Sequence, residues 1–499
     1  MKSWLRSLNP FQRARKESPP PRVELAETLL AELKQQVTRG WSGAENDRLT
    51  GAHWGSATST SINADLVTDL DTLRTRCRYE RQHNGILEGM AKSHVLDVVG
   101  PRGPRLQVTS TEDPKYAADL EKIWQNWCEV ADVTGSGHFA DILGQDIMAE
   151  WDNGESIKLI VTDPAAQGIQ FRLQTIHARR LSSPSGAGIA HLQDITLGVR
   201  RSPIGRPLSY FIRDDVDNEF AQLQGFTWHE VPAANVLHDY MPQEPGQVRG
   251  IPLMAASLHV IAQLRDWDRD VQQAMRMAAM LALFFYTDSP NAKPAPLVGT
   301  MDMEAGTVGS APPGWKLQQT TPSQPGQKYN DFRNSKLAEM GRPMGMPLMQ
   351  VNLDSSDHSY SSARFDGQTY QRAIEARQAR MERKTCRPCL VQVEREAQLL
   401  GLLRSRRPAD LAIAWGWPKR PHVDPNKEAD ALHTRLEDGS IDQDGLCAEY
   451  GLDAAIIRAK RLAQGLPAGP TWLELGSTQT AQSRRAADTA QPTPPGKAA

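Results

Sequence analysis

Cysteine is scarce in this chain: five residues (Cys77, Cys128, Cys386, Cys389 and Cys447) in 499. So few cannot form a disulfide framework that stands in for a hydrophobic core, and a reducing environment is expected. Aromatic residues make up only 6%, and neither sign of charge dominates, with 57 Lys and Arg against 59 Asp and Glu. That balance argues against a generic nucleic-acid coat, whose domains are strongly basic. No apolar run approaches the roughly 18 residues of a membrane helix, and the longest candidate, Met277 to Tyr286, is far too short. The segment MKSWLRSLNPFQRARK is basic but lacks an apolar stretch, so it does not read as a secretory signal. Also missing are G-x-x-x-x-G-K-S/T, a G-x-G-x-x-G opening a helix, and H-E-x-x-H. ATP hydrolysis by the chain itself and zinc-protease chemistry are therefore not expected.

What is present is an alternation of helical and strand patterns, an α+β chain. Residues 1–62 form an N-terminal arm, expected to be flexible or extended; its first 22 residues are basic, with Lys2, Arg6, Arg13, Arg15, Lys16 and Arg22 against Glu17, and close in a Pro19-Pro20-Pro21 run. Leu66, Leu70, Leu73 and Cys77 step at helical spacing, and the pattern continues toward Leu96 before Gly100-Pro101 and Gly103-Pro104 end it. Further helices are predicted from Pro114 to about Glu129 and from Phe139 to Trp151, the latter stopping at Asp152-Asn153-Gly154. From Ser156 to about Val236 the period falls to two (Ile157, Leu159, Val161; Leu208, Tyr210, Ile212), which predicts antiparallel strands. Pro252 opens the longest helical signal, since no Gly or Pro interrupts residues 253–289 and Leu253, Val260, Leu264, Trp267, Val271, Met275, Ala278, Leu281 and Phe285 form a stripe. A Pro- and Gly-rich stretch spans 288–325, and a helix resumes from Gln327 to Met340. A Ser-rich loop, VNLDSSDHSYSSAR, leads into a long charged helix from Ala363 to Leu403 that contains Pro388. A smaller α region to about Leu466 and a disordered tail from Gly476 complete the expectation.

Two constellations invite chemistry. Cys386-Arg-Pro-Cys389 has the spacing of a zinc or redox pair, but it lacks partner ligands and lies inside a helical pattern, so packing is the expected role. Asp354-Ser355-Ser356-Asp357-His358, with Ser359, Ser361 and Ser362 beside it, could ligate a metal or activate a serine. A metal-dependent nucleic-acid hydrolase using residues 354–362 is the alternative function this loop supports. A solvated hydrogen-bonding loop is the expected reading, so no catalytic residue, cofactor or metal is assigned. Arg372, Arg377, Arg380, Arg383, Lys384 and Arg387 form a basic strip that either meets phosphate or is paired within the protein.

Taken in order, these segments resemble the lambda-type family of tailed-bacteriophage portal proteins, from about Leu66 to Leu466. The segments that carry the likeness begin with DLDTLRTRCRYERQHNGILEGMAKSHVLDVVGPRGPRL, IWQNWCEVADVTGSGHF, EWDNGESIKLIV and LQTIHARRL. VPAANVLHDYMPQEPGQVRGIPLMAASL is the most specific, with Pro232, Ala233, His238, Arg249, Gly250 and Pro252 in the places the family uses before its long helix. APPGWKLQQTTPSQPGQKYNDF, NLDSSDHSYSSARFDG, CRPCLVQVE and HVDPNKEADALHTRLEDGSI follow in register.

The resemblance implies a portal fold with wing, stem, clip and crown. Residues 63–250 would be the wing, 251–287 the first stem helix, 288–325 the clip, 326–345 the second stem helix and 346–362 the tunnel loop. Residues 363–403 would be the long wing helix, 404–470 the C-terminal wing and crown, and 471–499 a disordered tail. It implies a non-enzymatic dodecameric ring at one capsid vertex, through which double-stranded DNA is packaged and ejected. Partners would be the terminase large subunit, the major capsid protein and head-tail connector proteins, with no membrane. Its place would be the virion, and the host cytoplasm during assembly. Channel and tunnel-loop residues would be Arg265, Asp266, Arg269, Asp354, Ser355, Ser356, Asp357, His358, Ser361, Ser362 and Arg364. Terminase docking at the clip would draw on Pro294, Pro296, Pro312, Pro313 and Trp315. Acids interleaved with arginines on residues 265–270 suit weak sliding contact, since each further phosphate neutralised would tighten the grip on DNA.

Overall fold

A computed structural model describes residues 60–184, 194–214, 227–279, 283–286, 316–319, 329–356, 358–418, 425–441, 445–447 and 454–465. Residues 1–59 of the N-terminal arm, the C-terminal tail and the five clip residues named above lie outside them, as does Asp357. Residues from Ile62 onward cluster as one compact unit.

The helical expectation from Leu66 to Leu96 resolves into two helices, α1 (Ile62–His83) and α2 (Gly85–Val98). Asn84 divides them because its side chain accepts from the Ile86 and Leu87 amides, giving the second helix its own N-cap. Helix α3 (Pro114–Cys128) starts as its sequence prescribes, with Asp113 accepting from the Tyr116 amide and Pro114 in the first turn. Helix α4 (Phe139–Asn153) opens on a reciprocal cap between His138 and Asp141 and ends at Gly154, whose φ is +79°. Around these helices Trp124, Trp127, Trp151 and Phe139 are almost fully buried, and Trp127 stacks on Phe171 at 5.0 Å. Such aromatic pairs contribute about 0.5–1.5 kcal/mol each beyond the area they bury.

Strands follow. β1 (Arg105–Thr109) lies between α2 and α3, and β2 (Glu155–Thr162) pairs antiparallel with β3 (Phe171–Ile176) on one edge. A short meander, β4 (Ile195–Thr196), β5 (Val199–Arg201), β6 (Pro207–Arg213) and β7 (Trp228–Pro232), forms a second sheet. β8 (Val236–Tyr240) returns to the other edge of β2. The antiparallel character expected for 156–236 is therefore correct. Ile157, Ile176, Leu181, Val199, Tyr210, Ile212 and Val236 make a separate apolar cluster between the sheets.

The long helix expected over 253–289 is shorter. Helix α5 runs Leu258–Ala279, preceded by a 3-10 turn, and Leu283–Tyr286 is a strand, β9, paired antiparallel with β10 (Lys316–Gln319). The absence of Gly and Pro permits a helix but does not compel one, and a Leu-Phe-Phe-Tyr run has the aromatic character that strands favour. Helix α6 (Tyr329–Gly341) then packs antiparallel to α5: Trp267 stacks on Tyr329 at 4.8 Å, while Ser257 Oγ near the other end donates to Met340 O.

The Ser-rich segment begins as a short helix, α7 (Leu348–Asn352), so the loop proper is 353–359. The charged helix extends from Tyr360 to Leu399 as α8 (Tyr360–Met381), a π-turn (Glu382–Cys386) and α9 (Arg387–Leu399). Pro388 explains the π-turn. Proline has no N–H to donate and its ring crowds the carbonyl four residues back, so the backbone widens and the Arg387 amide reaches Glu382 O instead. Residues after 404 are not all helical, a further difference from the sequence expectation. β11 (Ala412–Gly416) pairs antiparallel with β1, about 300 residues earlier, before α10 (Pro425–Glu437) and α11 (Ala454–Ala463). Among the described residues no helix is long and apolar enough to cross a membrane.

Candidate nucleic-acid interface

Helix α5 buries Ile261, Leu264 and Val271 and turns Arg265, Asp266, Arg269 and Asp270 outward. Three of those outward charges, Arg265, Asp266 and Arg269, are paired. Asp266 and Arg269 form an i,i+3 pair, Arg265 reaches Glu80 of α1, and Tyr329 Oη donates to Asp268 at 3.2 Å. The face therefore offers alternating sign rather than a phosphate clamp.

Loop 353–359 follows from local chemistry. Leu353 adopts φ +52° to close α7, Asp354 Oδ1 accepts from the Ser356 amide at 2.9 Å, and Ser359 caps α8 by accepting from the Ser362 amide. The bond from the Ser356 amide, helped by the Ser356 side chain and His358, holds Asp354 below the ordinary aspartate value, so it is anionic at neutral pH. Ser355, Ser356, Ser361, Ser362 and Arg364 are all exposed or partly so, as the loop's solvated chemistry requires. Asp354 and His358 line a polar cleft of about 590 Å3 together with Asn330, Arg333, Asn334 and Asn352. Arg265, Asp266 and Arg269 are not part of that cleft. Among the described residues no group of three or more His, Cys, Asp or Glu is arranged to hold a metal.

The basic strip on the long helix divides. Arg377 and Arg380 both reach Glu150, and Arg380 also reaches Asp239 at 3.1 Å, so these two cations serve the interior. Arg387 pairs with Glu382, while Arg372, Arg383 and Lys384 are at least partly exposed. Cys386 and Cys389 are fully buried in the main core, where burial pushes both thiols up. This agrees with their packing role and with an unreactive thiol.

Sequence reasoning missed the group that orients the base of α5. Glu155, fully buried, accepts from Arg74 Nη2 (2.7 Å), Arg249 Nη2 (2.6 Å), His238 Nε2 (3.0 Å) and the Gly250 amide (2.9 Å). Arg249 also donates to the carbonyls of Ala178, Leu181 and Leu197. Burial alone would push Glu155 up, but Arg249 and Arg74 outweigh it and hold the carboxylate well below its usual range. The carboxylate thus ties α1, β8 and the turn into α5, and Arg249 extends the network to the β4–β5 turn of the second sheet. His238, Arg249 and Gly250 were legible as a motif. Glu155 had only the signal of a charged residue opening an apolar strand, and Arg74 none.

A buried histidine lies behind the strip. Trp151 Nε1, a donor only, gives its proton to His94 Nδ1 at 2.8 Å, which assigns the ring as neutral. Burial, reinforced by Arg377 and Arg380, places His94 well below its ordinary 6.5. The unfolded chain then takes up a proton below about pH 6.5 that the folded chain refuses. Stability is complete above that pH and declines as pH falls beneath it. Urea midpoints measured from pH 7.5 to 5 should decline in the wild type and decline less in His94→Gln; parallel curves would show that His94 is not the group responsible.

The family model for the phage portal protein, lambda family, matches residues 48–378. The probable portal protein of Halomonas phage phiHAP-1 is 21% identical over 437 residues, covering 82% of each chain. The portal protein of Escherichia phage N15 is 22% identical over 464 residues, covering 82% of this chain and 86% of that one. Portal protein B of Escherichia phage lambda is 22% identical over 350 residues, covering 61% and 65%. Among solved structures, a chain in the neck of an empty GTA particle, computed with C6 symmetry, aligns with TM-score 0.44 and 14% identity over 83% of this chain and 95% of that one.

Proposed function

The chain belongs to the lambda family of phage portal proteins, and from that premise we propose that copies of it assemble as a dodecameric ring through which double-stranded DNA is packaged and ejected. The observation that carries this reading is the antiparallel pair α5–α6, linked through the β9–β10 pairing and followed by the exposed loop 353–359 and the long helix from Tyr360. In the ring, α5 and α6 are the stem, 288–325 the clip, 353–359 the tunnel loop, and the regions before 250 and after 360 the wing and crown. The clip, with Pro294, Pro296, Pro312, Pro313 and Trp315, docks the terminase large subunit and later the head-tail connector proteins, and the wing meets the major capsid protein. The ring sits at the portal vertex of the virion after assembling in the host cytoplasm, and it acts as a conduit without a catalytic step of its own.

Electrostatics favour sliding over gripping. Each subunit brings arginines already paired on α5 and a carboxylate, Asp354, that stays ionised. Rotational symmetry turns each of these into a ring of charge, so a net basic lining would hold DNA through many released counterions at once. Negative-stain electron microscopy of the full chain should show rings with a central hole. A population of monomers alone, at high concentration and across salt, would overturn the reading. Asp266→Lys with Asp354→Lys should leave the rings intact and lower DNA packaging or retention; unchanged packaging would remove these acids from the mechanism.

A further inference from the structure

A second cleft, of about 480 Å3, opens between the first half of α1 and the turn after β3. Its apolar walls are Leu66 and Leu70 on one side and Leu181 and Leu197 on the other. Arg74 and Arg249 are part of its lining, each at most 3% exposed, and Arg179 and Arg213 also line it.

The two buried guanidinium groups differ in how they are satisfied. Arg249 commits every nitrogen, to Glu155 and to the carbonyls of Ala178, Leu181 and Leu197. Arg74 does not. Its Nε donates to Asn153 O at 3.1 Å and its Nη2 to Glu155, while its Nη1 has no hydrogen-bond partner among the described residues. Arg74 Nη1 is thus the nitrogen of the two buried arginines that is left to meet whatever occupies the cleft, water or an acceptor. The acids near at hand do not supply one. Glu155 is already shared among Arg74, Arg249, His238 and the Gly250 amide, and only Asp71 adds a carboxylate to the lining.

We propose that this cleft binds an acidic side chain of a partner polypeptide, a carboxylate flanked by apolar residues. With Nε and Nη2 of Arg74 already committed, Nη1 can donate a single charge-assisted bond to an incoming carboxylate. Arg179 and Arg213 add cationic field, and the four leucines take the flanking apolar side chains. The volume exceeds what a bare inorganic ion needs and suits a side chain with its neighbours. A nucleic-acid strand fits less well, because bases require aromatic platforms and no aromatic residue lines the cleft among the described residues. The site is contained within one chain, so its occupancy is independent of the ring reading and is tested separately from it.

The test uses the full chain and fluorescence anisotropy with a labelled peptide of alternating leucine and glutamate. The same peptide with glutamine for glutamate is the neutral control, and inorganic phosphate is the competitor. The glutamate peptide should bind at least about tenfold more tightly than the glutamine peptide. Arg179→Gln with Arg213→Gln should cost about tenfold in affinity while leaving the buried network around Glu155 intact. Should that double variant melt early, Val67→Glu, on a residue that is 65% exposed at the same cleft, supplies a like charge and should weaken binding similarly. Equal affinity for the two peptides, or full affinity in a stable variant, would overturn the proposal. Displacement by phosphate at concentrations equal to the peptide would also do so, by making the cleft a simple anion site.

Discussion

Gly250→Ala should yield no stable folded protein, and so no rings. A Cβ built on Gly250 would stand 2.0 Å from Gly154 O and 2.5 Å from Gly154 C, and one on Gly154 would stand 2.1 Å from Ile251 C. Both sides of this crossing are backbone, so no side chain can rotate away to relieve it. Gly154 is constrained a second time by its left-handed φ of +79°. Relief requires α4, β2 and the turn into α5 to separate, which would also break the bond from the Gly250 amide to Glu155. A loss above about 4 kcal/mol is expected, against a total of roughly 5–15 kcal/mol for a folded domain. Soluble yield and the urea midpoint measure it. Gly89→Ala is the control, because a Cβ there meets nothing within 4 Å and helix propensity should make the change neutral or favourable. A Gly250→Ala midpoint equal to that of Gly89→Ala would mean that the crossing is looser than a 2.0 Å approach requires.

Glu155→Gln should destabilise nearly as much, by about 3–5 kcal/mol, although it preserves side-chain shape. The substitution leaves Arg74 and Arg249 buried without the carboxylate they share, and the new carboxamide would place an N–H donor where only acceptors are wanted. Removing the exposed Asp266–Arg269 pair by Asp266→Asn should cost no more than about 1 kcal/mol, since solvent screens that pair. The pH dependence separates the two cases. Glu155 lies well below its ordinary 4.5 when folded, so its contribution is complete above that pH and disappears as acid protonates the folded carboxylate. Wild-type midpoints should therefore decline more steeply below about pH 4.5 than those of Glu155→Gln, which starts low and lacks this component. Identical acid limbs would assign the acid sensitivity to other carboxylates, such as Glu150 beside Arg377 and Arg380.

Much of the helical framework was legible because its determinants are local. Asp113-Pro114 starts a helix, Gly154 ends one, and each signal lies within a turn of the residue it governs. The Ser-rich loop and the buried Cys386 and Cys389 were likewise readable from their neighbours. The failures involve distance or competing preference. Leu281 and Phe285 continued a helical stripe on paper, yet Leu283–Tyr286 pairs with Lys316–Gln319, far along the chain. Arg377 and Arg380 could not be told from a phosphate-binding strip until Glu150 and Asp239 were found opposite them.

Composition and motif order were enough to establish the class of the molecule. The ordered motifs pointed to the portal family, and the family model over residues 48–378 shows it. What the most specific motif is for emerged from the folded chain alone. Arg249 and Gly250 are where they are because Glu155 and Gly154, about 95 residues earlier, meet them in the interior. A buried charge and a backbone crossing are satisfied only by partners that folding brings together, and sequence spacing carries no record of which partners those are.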